Sequence, residues 1–108
     1  MENKLKSFKR DGYTMTIIHE LYEIPDIIIR MDEKEVYCLT LFTVNDIKEM
    51  MEKCKKDGDC LSGKYYWASD MLIVENTKIE LVLEVCDEIV KTGLIKKISQ
   101  KYEDTQLE

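Results

Sequence analysis

Two short apolar segments, Asp26–Met31 and Val36–Phe42, stand only four polar residues apart. Each is rich in Ile, Leu, Val or aromatic side chains and shorter than an ordinary helix, so each reads as a β-strand. A link as short as Asp32-Glu33-Lys34-Glu35 leaves no room for a crossover, so the two strands pair antiparallel. Both are apolar almost throughout, which predicts a sheet with little solvent on either face.

The neighbouring segments extend this picture. From Tyr13 to Tyr22 the chain alternates, with Tyr13, Met15, Ile17, His19 and Leu21 on one face and Thr14, Thr16, Ile18, Glu20 and Tyr22 on the other. That period of two predicts another strand, ended by Pro25, which cannot donate to a ladder. After Phe42, Thr43 is a candidate N-cap, with Asp46 in the first turn. Val44, Ile47, Met50, Met51 and Cys54 then recur at helical spacing until Asp57-Gly58. A second helix carries Ile79, Val82, Val85, Cys86, Ile89 and Val90 on one side and stops at Gly93; Thr77-Lys78-Ile79-Glu80 reads as its capping box. Between the helices, 64–74 reads as a strand, and Leu94–Ser99 as a short final one.

The expected order is therefore β-β-β-α-β-α with a possible last β. This is a small α/β (α+β) domain with a mixed, mostly antiparallel sheet of four to five strands and two amphipathic helices. The 108 residues fit one domain, spanning 13–99. Residues 1–12 carry Lys4, Lys6, Lys9 and Arg10 against Glu2 and read as a basic, flexible arm, and 100–108 as a polar tail.

Charge narrows the function classes. The net charge of −6 repels phosphate backbones and so disfavours nucleic-acid binding. No apolar run approaches the roughly 20 residues needed to cross a bilayer, and the N-terminus lacks an apolar core segment, so the expected location is the cytoplasm, away from membranes. Cys38, Cys54 and Cys86 fall at apolar positions and read as core residues, whereas Cys60 lies in a Gly/Asp-rich loop and reads as exposed. Cys54 and Cys60, separated by five intervening residues with no nearby histidine, do not match zinc-site spacing.

No catalytic or cofactor motif is present. The four glycines are scattered and form neither a GxGxxG nor a Walker pattern. Asp57-Gly58-Asp59 mimics part of a calcium loop whose ligand series does not continue. His19 and Glu20, adjacent in a strand, point to opposite faces. An enzyme would therefore have to use Cys60 or His19 without any visible base-and-orienter arrangement.

The expected binding residues are Tyr65, Tyr66, Trp67, Ser69 and Asp70. They include three consecutive aromatics, and strand alternation places Tyr65, Trp67, Ser69, Met71 and Ile73 on one face and Tyr66, Ala68, Asp70, Leu72 and Val74 on the other. One reading buries the aromatics beneath the helices. The other leaves one face open, where Trp and Tyr can anchor a protein interface and Asp70 can meet a basic group. The chain resembles short Lys/Glu/Ile-rich bacterial proteins. Its small acidic α/β character is similar, in a general way, to immunity proteins that neutralise bacterial toxins. The missing catalytic set, the acidic charge and the aromatic strand with Asp70 predict a non-catalytic protein-binding module, and the resemblance implies an immunity- or antitoxin-like inhibitor of a basic partner. The alternative is a homodimeric small-ligand or regulatory domain, joined through a sheet edge or the aromatic face.

Overall fold

The computed structural model describes residues 4–19, 24–32, 34–99 and 101–102. Four strands form an antiparallel meander: β1 (Lys4–Arg10), β2 (Tyr13–His19), β3 (Asp26–Met31) and β4 (Val36–Phe42). Helix α1 (Val44–Asp57) and a single turn, α2 (Asp59–Gly63), lead to β5 (Met71–Ile73), which lies parallel to the end of β4. Helix α3 (Ile79–Lys91) and the short α4 (Ile95–Ile98) follow, and β6 (Lys101–Tyr102) pairs antiparallel with the start of β4. The domain is thus an α+β fold with a mixed sheet, as the sequence predicts.

Local chemistry explains most of these boundaries. At Thr43 the side-chain hydroxyl accepts from the Asp46 backbone N–H (3.1 Å), and the Asp46 carboxylate accepts from the Thr43 N–H (2.8 Å). This reciprocal box satisfies two amide donors that would otherwise lack a helical partner. The Gly58 N–H donates to the Cys54 carbonyl (2.9 Å) and closes the helix.

The core lies on one face of the sheet. Tyr13, Met15 and Ile17 from β2, Ile27 and Ile29 from β3, and Tyr37, Leu39 and Leu41 from β4 are buried there with Val82, Cys86 and Ile89 of α3 and Ile95 of α4. The predicted face assignment of Tyr13, Met15 and Ile17 holds. Each fully buried aliphatic side chain contributes roughly 1.5–3 kcal/mol of transfer free energy.

The opposite face corrects an expectation. Val36 and Phe42, at the two ends of β4, are buried on this face, but Thr14, Thr16, Ile18, Asp26, Ile28, Arg30, Cys38 and Thr40 are only half-buried, so the central strands are shielded less here than on the core face. The helix that does cover the core, α3, packs on the other face. Polar pairing across the open face fits its exposure: Ser7 and Thr16 share a 2.8 Å hydrogen bond, and the Thr40 hydroxyl donates to Asp26 (2.7 Å).

Four further expectations are revised. The basic arm is a strand over Lys4–Arg10, because Gly12 (φ +81°) reverses the chain and sets Phe8 opposite Met15. Its cations gain partners: Lys9 meets Asp32 (2.6 Å), and Arg10 grips Asp87 on α3. Second, the expected strand over Leu94–Ser99 is instead α4. Ile95 and Ile98, three residues apart, both turn toward the core, and the Ser99 hydroxyl donates to the Cys38 carbonyl (2.6 Å). Third, α3 begins at Ile79, so Glu80 is one position too early to close a box; Asn76 accepts from the Lys78 N–H instead (3.0 Å). Fourth, Val44 is exposed, and of the apolar positions on α1 only Cys54 is buried. Residues 20–22 of the expected Tyr13–Tyr22 strand, and 100 and 103–108 of the tail, lie outside the described residues.

Candidate functional site

The expected aromatic strand shrinks to Met71–Ile73. Its first half finds no ladder partner, because β4 offers β5 only Thr40, Leu41 and Phe42. Asp70 adopts a left-handed conformation (φ +54°), which breaks an extended chain immediately before β5. The Asp70 carbonyl accepts from the Thr40 N–H (2.9 Å), tying this bend to β4.

Alternation nevertheless persists along most of the segment, interrupted at Met71, which is half-buried like Asp70 and Leu72 beside it. Tyr65, Trp67, Ser69 and Ile73 are exposed, whereas Tyr66, Ala68, Asp70 and Leu72 are half-buried and Val74 is buried. Trp67 keeps 65% of its surface in solvent and Tyr65 48%. Tyr66 turns inward and meets Phe42 edge-to-face, with ring centroids 6.0 Å apart and planes at 64°. Tyr66 is thereby an anchor, and its two neighbours stand out from the surface on either side of it.

Asp70 does not share the exposed side with Trp67. It lies close enough to Cys38 on the open face to help push that thiol's pKa upward, after the larger effect of burial and together with Asp26. Asp70 is thus part of the polar groups under the bend and separate from the aromatic edge.

The turn before this segment is unusual. Cys60, Leu61 and Ser62 all take left-handed dihedrals (φ +52°, +51° and +57°), bracketed by Gly58 and Gly63. Such a conformation costs an L-residue roughly 1–2 kcal/mol. It persists here because Gly63 fits directly against α1: a Cβ at that position would lie 2.5 Å from the Met51 carbonyl oxygen and 2.6 Å from Lys55 Cγ. The reversal leaves Leu61 exposed. Burial, followed by the neighbouring Cys60 thiol, raises the Cys54 pKa. Tyr66 is raised too, by burial first and then by its nearness to both thiols.

Among the described residues, five of the seven large exposed hydrophobic side chains (Val44, Leu61, Tyr65, Trp67 and Ile73) come from the stretch between the end of β4 and the end of β5. Ile73 pairs with Phe42, two residues before Val44, so both lie at the same end of the sheet. β5 is the terminal strand of the sheet there.

A cleft of about 680 Å³ lies between the β1–β2 hairpin and α3 and contains Lys9, Arg10, Tyr13 and Asp87. Within it Arg10 donates through Nε (3.1 Å) and a second guanidinium nitrogen to Asp87, and the Tyr13 hydroxyl donates to the same carboxylate (2.6 Å). This network fastens the hairpin to α3. No group of three metal-ligating side chains converges among the described residues, and no helix there is long and apolar enough to cross a membrane. The His19 side chain lies outside the described set, and Cys60, expected to be exposed, is half-buried.

The sequence identified the aromatics as candidates but missed Leu61 and Val44. Leu61 carried no periodic signal, and Val44 occupied a position that helical spacing assigned to the core. Compared with protein-family models, curated proteins and solved structures, the chain matches none.

Proposed function

We propose that this chain is a non-catalytic protein-binding module that meets its partner through Tyr65 and Trp67, with Leu61 and Ile73 extending the contact. The supporting observation is the exposure of Trp67 and Tyr65 on either side of a half-buried Tyr66. An aromatic held on an anchored backbone loses little conformational freedom on binding, which is why Trp and Tyr dominate interface energetics. The net charge of −6 favours a basic partner, as an immunity- or antitoxin-like inhibitor would have. Ser69 remains at the exposed margin, while Tyr66 and Asp70 hold the segment in place.

Self-association through the same surface is the second reading, favoured by the terminal position of β5 and the exposed Ile73 on it. The test is capture from the native lysate with wild type and with a folded Tyr65→Ala, Trp67→Ala double variant. A basic protein should be retained by wild type and bind the variant at least about 30-fold more weakly, the loss expected of hot-spot truncation. Equal retention by both would remove this surface. A concentration-dependent dimer in light scattering, abolished in the variant, would select self-association.

A further inference from the structure

β1 is the terminal strand of the sheet on the side away from β5, and among the described residues no strand pairs with its outer edge. The direction of its backbone groups follows from one bond at the hairpin turn. The Asp32 N–H donates to the Gly12 carbonyl (3.0 Å), so that carbonyl faces β3. Across a trans peptide the Tyr13 N–H points the opposite way, toward β1. Arg10 and Tyr13 are therefore a hydrogen-bonded pair, as are Phe8 with Met15 and Lys6 with Ile17. The intervening residues Leu5, Ser7 and Lys9 turn their N–H and C=O groups away from β2, onto the free edge. The 2.8 Å bond between the Ser7 and Thr16 hydroxyls fits the closer side-chain approach of a non-hydrogen-bonded pair. Neither a bulge nor a proline closes this edge: pairing runs unbroken from Lys4 opposite His19 to Arg10 opposite Tyr13.

We propose that the β1 edge is a second docking surface, which takes an extended acidic segment of a partner protein as an added antiparallel strand. Main-chain bonds to Leu5, Ser7 and Lys9 supply the affinity, and the side chains that alternate along the edge supply the selectivity. Those side chains are basic and apolar. The strand holds Lys4, Lys6, Lys9 and Arg10 and no carboxylate, on a chain of net charge −6. Arg10 stays committed to Asp87, but Lys6 is exposed. Lys9 keeps 61% of its side chain in solvent, and its exposed pair with Asp32 exchanges for another carboxylate at little cost. Leu5 is 64% exposed and Phe8 half-buried, so apolar surface lies between these cations. A second copy is the wrong occupant, because two β1 strands side by side would set like charges against each other. A phosphate backbone would meet the cations but has no donors for the outward carbonyls. The lysines thus close the edge to its own kind and leave it open to an acidic strand. Three strands, β2, β3 and β4, separate it from β5, so this surface is independent of the aromatic one.

The test titrates the isotope-labelled full chain with the synthetic peptide Thr-Glu-Val-Thr-Glu-Val-Thr, blocked at both ends, and follows backbone amides by NMR. In antiparallel register this peptide sets Glu opposite Lys9 and Lys6, and Val opposite Phe8 and Leu5. The amide resonances of Leu5, Ser7 and Lys9 should shift, and those of Met71–Ile73 should stay in place. The same peptide with Lys for Glu should bind at least about 10-fold more weakly, and Lys6→Glu should weaken the original peptide at least about 3-fold, since each sets like charges opposite one another. Ser7→Pro removes an N–H that β2 does not use, so it should keep the fold by circular dichroism yet bind at least about 10-fold more weakly. If Ser7→Pro fails to fold, the Lys peptide and Lys6→Glu decide the matter. No shift at millimolar peptide, equal binding of the Lys peptide, equal binding by folded Ser7→Pro, or equally tight binding of oligodeoxythymidylate overturns the proposal. None of these readouts involves Tyr65 or Trp67, so failure here is separate from failure of the aromatic surface.

Discussion

Tyr13→Phe isolates the bond that joins the N-terminal hairpin to α3. Tyr13 is 1% exposed, and its hydroxyl donates to Asp87 Oδ1 at 2.6 Å. A hydrogen bond to a carboxylate contributes about 1.5–3 kcal/mol. Asp87 is 44% exposed in its side chain and keeps Arg10, so its remaining acceptor sites are not stranded. The expected loss is therefore at the low end, about 1–1.5 kcal/mol, or about 4–8 °C in melting temperature. The pH dependence carries a definite sign. Arg10 and Tyr13, by hydrogen bonding, hold the Asp87 pKa below its ordinary 3.8, so its contribution is complete above that value and is lost as pH falls through the lower folded-state value. Burial, then the bond to Asp87, raises the Tyr13 pKa above its ordinary 10.0, so that contribution is complete below pH 10.0 and disappears only at more alkaline pH. Urea unfolding of wild type and Tyr13→Phe should thus show the full difference at about pH 7 and a clearly smaller one at about pH 2. An equal difference at both pH values, or a loss below about 0.5 kcal/mol at pH 7, would refute the assignment of this energy to the Tyr13–Asp87 bond.

Gly63→Ala combines φ +78° with a Cβ 2.5 Å from a backbone oxygen, whereas Gly12→Ala at φ +81° meets open space. The first should therefore cost more than the second, which is expected at about 1 kcal/mol, and denaturant midpoints measure both. Thr43→Ala removes one half of the α1 capping box and should cost about 1 kcal/mol in the same assay. Trp67→Ala should change stability by less than about 0.5 kcal/mol, because most of the side chain is already in water. Burial pushes the Cys86 thiol up to about 12, so iodoacetamide at mildly alkaline pH should label Cys86 only after unfolding, as peptide mapping would show.

Much of the fold was legible because its signals are local. The β3–β4 hairpin follows from two apolar runs and a polar link, and α1 from Thr43, Asp46 and Gly58. The in-and-out alternation from Tyr65 to Val74 was also readable except at Met71, which is half-buried, even though most of that stretch is not a strand. A signal for β1 was present but overlooked: Asp11-Gly12 between Phe8-Lys9-Arg10 and Tyr13-Thr14-Met15 has the composition of a hairpin turn, and the charges masked it. The basic residues looked like a solvated tail because their partners, Asp32 and Asp87, are 23 and 77 positions away.

By itself the sequence determined which segments extend or coil and which side of each is apolar, since residue spacing and capping chemistry decide those locally. Only the tertiary structure decided which sheet face α3 covers, because an apolar strand reads the same whether one face or both are buried. It alone decided that β5 is three residues long, through the limited edge that β4 offers and the bend at Asp70. It also decided the left-handed turn over Cys60, Leu61 and Ser62, which ends where Gly63 fits against α1. That fit sets Gly63 against the Met51 carbonyl and the Lys55 side chain, which no periodicity in the sequence records.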